Sequence, residues 1–144
     1  MKIENGTGLD TSEIKRRFEE VAFGIKIKRL RVKLKDGNKG YITGHVQPRP
    51  GRYRNKDGTF TKGICQHMLL KVPKVKAIRQ HFKTERGQPY KYVELTRLDA
   101  LTFVFAHEMF HIIQYNERRR YSQYEADAFA YSIGVRLGII KEGK

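Results

Sequence analysis

Residues 98–117, LDALTFVFAHEMFHIIQYNE, constrain the fold more than any other part of the chain. They predict a helix with apolar residues at almost every angular position, and a helix that is apolar all round has to be buried. It is expected to be the central element on which the rest of the chain packs. Into this most apolar segment the sequence sets His107, Glu108 and His111. Polar side chains are costly to bury unless each is compensated, so the three together call for a partner. Residues four apart on a helix lie one turn apart on the same face, so His107 and His111 can present imidazole nitrogens to one metal ion. Glu108 is rotated by roughly 100° from His107, which sets its carboxylate beside such an ion, where it can take a proton from a bound water. HExxH on a helix is read as a zinc motif for this reason.

A hydrolytic zinc site needs a third protein ligand and one open position. Cys65 is the single cysteine, which excludes a cysteine-based cluster and an intrachain disulfide, so histidine and carboxylate must do the work. After Arg118, Arg119 and Arg120, Ser122 and Glu125 form a capping box, and Ala126, Phe129, Ala130, Ile133 and Leu137 mark a further helix stopped by Gly138. If the two helices fold back on each other about Arg119, position 111 lies opposite position 127, and Asp127 is the expected third ligand. Its rival role is to hold a ligand histidine through that ring's other nitrogen. Gln123 shares the face one turn earlier. Glu125 is the alternative ligand, although it has a capping role to fill. His45, His67 and His81 read as packing or surface residues, and Tyr121 and Tyr124 as candidate donors to an oxyanion.

HEMFH followed closely by EADAFA resembles the compact zincin metallopeptidases, gluzincin-like minimal domains such as the ImmA/IrrE and SprT-like groups. The resemblance covers mainly residues 96–137. It implies a small sheet ahead of two ligand-bearing helices, zinc as cofactor and a protein or peptide substrate. In the ImmA/IrrE-like pattern E-x-x-A-N-x-F-A the third ligand is a glutamate, and that position here is Gln123. The SprT-like groups use a third histidine, and no histidine follows His111 in this chain.

The first 95 residues have another character. They carry 23 Lys and Arg against 9 Asp and Glu, whereas residues 96–144 carry 7 against 6, so nearly all of the +15 charge precedes Thr96. Such a surface attracts polyanions by counterion release and steering. Thr11, Ser12 and Glu13 open an amphipathic helix through Ile14, Phe18, Val21 and Ala22. IKIKRLRVKLK then alternates apolar and basic residues with a phase slip at Lys28 and Arg29, which predicts a half-buried strand with a bulge. The turn at Asp36, Gly37 and Asn38 makes GYITGHVQP the returning arm of a hairpin. Residues 48–63 read as a loop or extended hairpin tip, ICQHMLLKV as a third strand, residues 74–90 as a stretch with a possible short helix, and residues 90–95 as a last strand.

By length this is one domain, residues 1–144, of the α+β class: an N-terminal helix, a small and mostly antiparallel sheet of three or four strands, then the two site helices. No apolar run approaches the roughly 18 residues of a membrane span, and the N-terminus has no export signal, so a cytoplasmic protein is expected. Two functions compete. One is a zinc endopeptidase with Glu108 as general base, acting on nucleic-acid-associated proteins. The other is a nucleic-acid-binding module with a structural or inactive core. In both, DNA or another polyanion would meet Lys26, Lys28, Arg29, Arg31, Lys33, Lys35, Arg49, Arg52 and Arg54, and in the binding-module reading Tyr53 or Phe60 would stack on bases.

Overall fold

The computed structural model describes residues 1–27, 29–47, 53–54, 60–61 and 66–141. The chain opens on a strand, β1 (Lys2–Asn5), followed by helix α1 (Thr11–Ala22). Asp10 caps α1, its carboxylate accepting from the backbone N–H groups of Ser12 and Glu13 at 2.9 and 3.1 Å. Strands β2 (Arg31–Gly37) and β3 (Thr43–Gln47) follow, then two short segments, β4 (Tyr53–Arg54) and β5 (Phe60–Thr61), and then β6 (His67–Pro73). A second hairpin, β7 (Ala77–Phe82) with β8 (Lys91–Thr96), leads into α2 (Arg97–Asn116) and α3 (Gln123–Arg136).

The main sheet has the order β1-β2-β6-β3. The pairs β1–β2 and β2–β6 are parallel and only β3–β6 is antiparallel, so the expectation of a mostly antiparallel sheet is corrected. The predicted β2–β3 hairpin does not form, because β6 lies between its two arms. The unit β1-α1-β2 accounts for the first parallel pair: parallel neighbours need a crossover, and α1 supplies it. Four residues, KIEN, carried too short a pattern to announce β1. Residues 25–30 are not part of β2, and Arg29 adopts a left-handed conformation at φ 56°. Lys28, the other half of the predicted bulge, lies outside the described residues, as do Arg49, Arg52 and Cys65. β4 and β5 pair as a short antiparallel ladder, with Tyr53 beside Thr61, in line with an extended hairpin tip. The possible helix within residues 74–90 is instead β7, whose alternation buries Ile78, Gln80 and Phe82.

Period-2 alternation gives the main sheet one apolar face. Val32, Leu34, Met68, Leu70 and Val72 are buried on it, beneath α1 and α2. α1 contributes Ile14, Phe18 and Val21, and the Phe18 ring stacks on Phe105 of α2 with centroids 3.8 Å apart. α2 is buried around most of its circumference, from Ala100 through Met109 to Gln114, as its composition demanded. Thr96 and Ser122 cap α2 and α3, accepting from the N–H groups of Asp99 and Glu125 at 3.2 Å each. Beyond α3, Gly138 takes φ 74° and the chain folds back so that the N–H of Ile140 reaches the carbonyl of Gly134 at 3.0 Å. No helix among the described residues is long and apolar enough to cross a membrane.

Candidate functional site

His107 and His111 face the same way from α2, and their Nε2 atoms stand 3.0 Å apart. What lies behind each ring determines its tautomer. Nδ1 of His107 is 2.7 Å from Oδ1 of Asp127, a carboxylate that only accepts, so this nitrogen carries the proton. Oδ2 of the same carboxylate accepts from the backbone N–H of Lys83 at 2.7 Å, which ties α3 to the end of β7. Nδ1 of His111 is 2.8 Å from Oε1 of Gln114, whose amide nitrogen donates to the carbonyl of Ser122 at 3.2 Å. Gln114 therefore presents its oxygen, and Nδ1 of His111 donates as well. Each ring, when neutral, is left with a bare Nε2, and the two Nε2 atoms face the same point. Oε1 of Gln123 adds a third acceptor at 2.9 Å from Nε2 of His111. Three acceptors converge without a proton of their own, and such a point calls for a cation or a shared proton.

The environment shifts the titrating groups in distinct directions. Burial pulls the His107 imidazole down, but the hydrogen bond it donates to Asp127 and the neighbouring charges of Glu108 and Asp127 outweigh it, and the net displacement is upward. His111 is moved below its ordinary range by burial, against the hydrogen bonds to Gln114 and Gln123. Glu108 is raised by burial, with the His107 charge opposing. Its Oε1 lies 3.9 Å from Nε2 of His107, beside the convergence point and outside hydrogen-bonding range. The side chain is held there by close packing: a Cβ built on Gly44 of β3 would stand 3.1 Å from Cγ of Glu108 and 2.6 Å from Cδ2 of Leu70.

A cleft of about 280 Å³ opens onto His107, Glu108, Gln123 and Asp127. Thr43 and Gly44 of β3 form part of its wall, and Gln80 and His81 of β7 with Tyr41 and Tyr90 form another. His81 stands edge-on to both tyrosine rings at 5.4 Å, so a histidine read from sequence as packing lines the cleft. Only its tertiary position reveals this, since an isolated histidine on a strand carries no local signal. His45 is exposed on β3 and His67 half-buried on β6. The ring of Tyr121 stacks on His111 at 4.5 Å, where burial and the charge of Glu108 raise its phenol, so Tyr121 stands beside the convergence point, whereas Tyr124 lies near Lys83.

The helix register corrects the expected pairing of positions 111 and 127. Asp127 faces His107, and Gln123 faces His111. The turn is not symmetric about Arg119. The chain leaves α2 through Arg118 at φ 55° and runs back along the last turn, where the N–H of Arg119 meets the carbonyl of Gln114 at 2.7 Å. Asp127 thus takes the rival role, holding His107 by the nitrogen remote from the convergence point. Glu125 is exposed in the first turn of α3, away from that point, where its N–H completes the cap.

Comparison with protein-family models, with curated proteins and with solved structures finds no match for this chain.

The donor set itself can be tested against zinc. Two nitrogens bound to one ion at roughly 2.0–2.1 Å with a tetrahedral angle stand about 3.3 Å apart, close to the 3.0 Å between the two Nε2 atoms. The nitrogen behind each ring is held by an oxygen, as in metal sites whose outer partners orient the ligands. The third place is held by an amide. Among the described residues no group of three or more His, Cys, Asp and Glu side chains is arranged to hold a metal ion. The residues present therefore suit a metal ion through two imidazoles and one amide oxygen, with weaker charge neutralisation than a carboxylate provides.

Proposed function

We propose that this protein is a zinc-dependent metallopeptidase, with Glu108 as general base and His107, His111 and the amide oxygen of Gln123 as the metal-facing donors. The observation that carries this reading is the convergence of the two Nε2 atoms beside a buried carboxylate, with His107 and Glu108 lining an open cleft. The chemistry that a zinc ion supplies in such a site is a lowered pKa for a coordinated water and polarisation of a carbonyl. Glu108 accepts the proton of the attacking water and returns it to the leaving amine. Its pKa, raised by burial, brings it closer to the neutral range in which a group can both take and give a proton. Asp127 and Gln114 fix the two imidazoles so that Nε2 and not Nδ1 faces the reaction.

A peptide substrate is favoured by β3. This strand ends the main sheet, and among the described residues no strand pairs with its outer edge. An exposed edge offers backbone donors and acceptors to an extended chain, and Thr43 and Gly44 of that strand line the cleft. Tyr41, His81 and Tyr90 then wall the space for a substrate side chain.

The second reading, a binding module with an inactive core, is favoured by one observation: the third donor is an amide. One experiment separates the two. Purified protein is analysed for metal and assayed for cleavage of a disordered protein, alongside Glu108→Gln, His111→Ala and Gln123→Glu. The peptidase reading expects zinc in the wild type, zinc without cleavage in Glu108→Gln, neither in His111→Ala, and tighter zinc in Gln123→Glu. If wild type neither binds zinc nor cleaves, and Gln123→Glu does not restore either property, the binding-module reading replaces it.

A further inference from the structure

We propose that the outward face of the main sheet is a binding surface for the phosphate backbone of nucleic acid, engaged without regard to base sequence. The strands alternate, so the residues between Val32, Leu34, Leu70 and Val72 point away from the helices. Those places hold Lys2 on β1, Arg31, Lys33 and Lys35 on β2, and Lys71 on β6, all five exposed. The register sets like charges side by side: Lys2 lies beside Arg31, and Lys35 beside Lys71. Like charges on directly neighbouring positions are destabilising. Among the described residues none of the five forms an ion pair with a carboxylate, and Glu4, beside Lys33, is the one acidic residue in the outward phase of these strands.

Alternate residues on a strand are roughly 6.6 Å apart and neighbouring strands about 4.8 Å. These spacings fall within the Debye length of about 8 Å at physiological salt, so the potentials of the five cations add. A surface of this kind favours a polyanion. The outward places of β1, β2, β3 and β6 hold no Phe, Tyr or Trp to stack on bases or to enter a lipid layer, their rings being the imidazoles of His45 and His67, and their one large aliphatic side chain, Leu69, is half-buried. Phosphate contact alone positions a nucleic acid and carries no sequence information. Arg31, Lys33 and Lys35 thus belong to the surface anticipated from sequence, Lys2 and Lys71 join it through the sheet, and Lys26 and Arg29 precede the ladder.

The face lies across the sheet from the cleft. Gly44 and Leu70 point inward to Glu108 and α2, while their neighbours Lys71 and His45 point outward. A nucleic acid bound here leaves the cleft open, so binding does not depend on the metal reading and is measured separately from it.

The test is fluorescence anisotropy of a fluorescein-labelled DNA duplex of mixed sequence across a salt series. Three proteins are compared: wild type, a face variant (Lys33→Glu, Lys35→Glu, Lys71→Glu) and a control of equal charge change elsewhere (Lys15→Glu, Arg16→Glu, Lys91→Glu). Wild type should bind with log affinity falling linearly against log salt, and a duplex of unrelated sequence should bind within about twofold. The face variant should lose about two to three units of slope, at roughly 0.9 per phosphate contact, while the control keeps most of its slope. Circular dichroism checks the fold. If the face variant does not fold, the Lys33→Gln, Lys35→Gln, Lys71→Gln variant takes its place with the same expected loss. Equal losses in face variant and control, or no salt-dependent binding by wild type, would overturn the proposal. So would capture by anionic phospholipid vesicles that depends on this face when the duplex is not bound, which would assign the surface to membranes.

Discussion

The two sides of the main sheet are built by the same strands, yet their polar groups live under different rules. On the helix side Glu108, His111 and Gln114 are buried, and the site is a chain of pairings from Lys83 through Asp127 and His107 to His111, Gln114 and Ser122. On the outer side Lys35 and Lys71 lie next to one another in water with no carboxylate between them. Burial makes a missing partner expensive, at about 1–3 kcal/mol for an unsatisfied group, whereas exposed like charges cost a few tenths. A surface can therefore keep unpaired charges for a ligand at little cost, while the lone pairs that converge between His107, His111 and Gln123 are kept at a cost that a bound cation or a shared proton relieves.

The sharpest way to break this comparison is Glu108→Gln. It leaves the packing against Gly44 intact and removes the proton acceptor, so cleavage should fall by roughly 10²–10⁴-fold, with zinc content and thermal stability nearly unchanged. Kinetics on a peptide substrate beside metal analysis check it. Next comes a matched pair on adjacent strands: Leu70→Ala, fully buried, should destabilise by about 2–5 kcal/mol, and Lys33→Ala, exposed, by less than about 0.5 kcal/mol, both read by urea unfolding. Equal effects would mean that the outer face is covered. Gly44→Ala probes the contact between the sheet and the site. Its Cβ would meet Leu70 at 2.6 Å, so a loss of about 1–3 kcal/mol is expected together with a displaced Glu108 and reduced cleavage.

The smallest expected effect is at the edge of the molecule, where Asp10 caps α1. Hydrogen bonds from Ser12 and Glu13 hold its carboxyl below the ordinary carboxylate range. A carboxylate depressed in the folded state stabilises above its unfolded pKa, and that contribution is lost as pH falls through the ordinary range to the depressed one. Asp10→Ala should thus lower the melting temperature slightly at neutral pH and have little effect in strong acid. A difference that grows on acidification would contradict the cap.

Much of the fold was legible locally. Ser122 with Glu125 announced the start of α3, and the apolar wrap of residues 98–117 announced a central helix, because capping and burial are written in neighbouring residues. Strand order was not legible. β6 enters between β2 and β3 across residues whose sequence carries only turn and charge signals, and the choice of partner rests on which apolar faces meet α2. At the site, His107, Glu108 and His111 were visible because helical spacing alone sets their faces. The neighbour of each histidine was not, since it depends on how the chain runs back from Arg118 before α3 begins.

The sequence by itself thus determined a buried helix bearing two histidines and a glutamate on set faces, a following capped helix, and a basic first two thirds, all consequences of residue spacing and composition. Only the tertiary structure decided that Asp127 stands behind His107 and Gln123 before His111, that Gly44 packs on Glu108, and that Lys2 and Lys71 join Arg31, Lys33 and Lys35 on one face. The physical reason is range. Capping and helical periodicity act over three or four residues, whereas these juxtapositions come from elements distant in sequence, brought together by burial of the apolar faces they share.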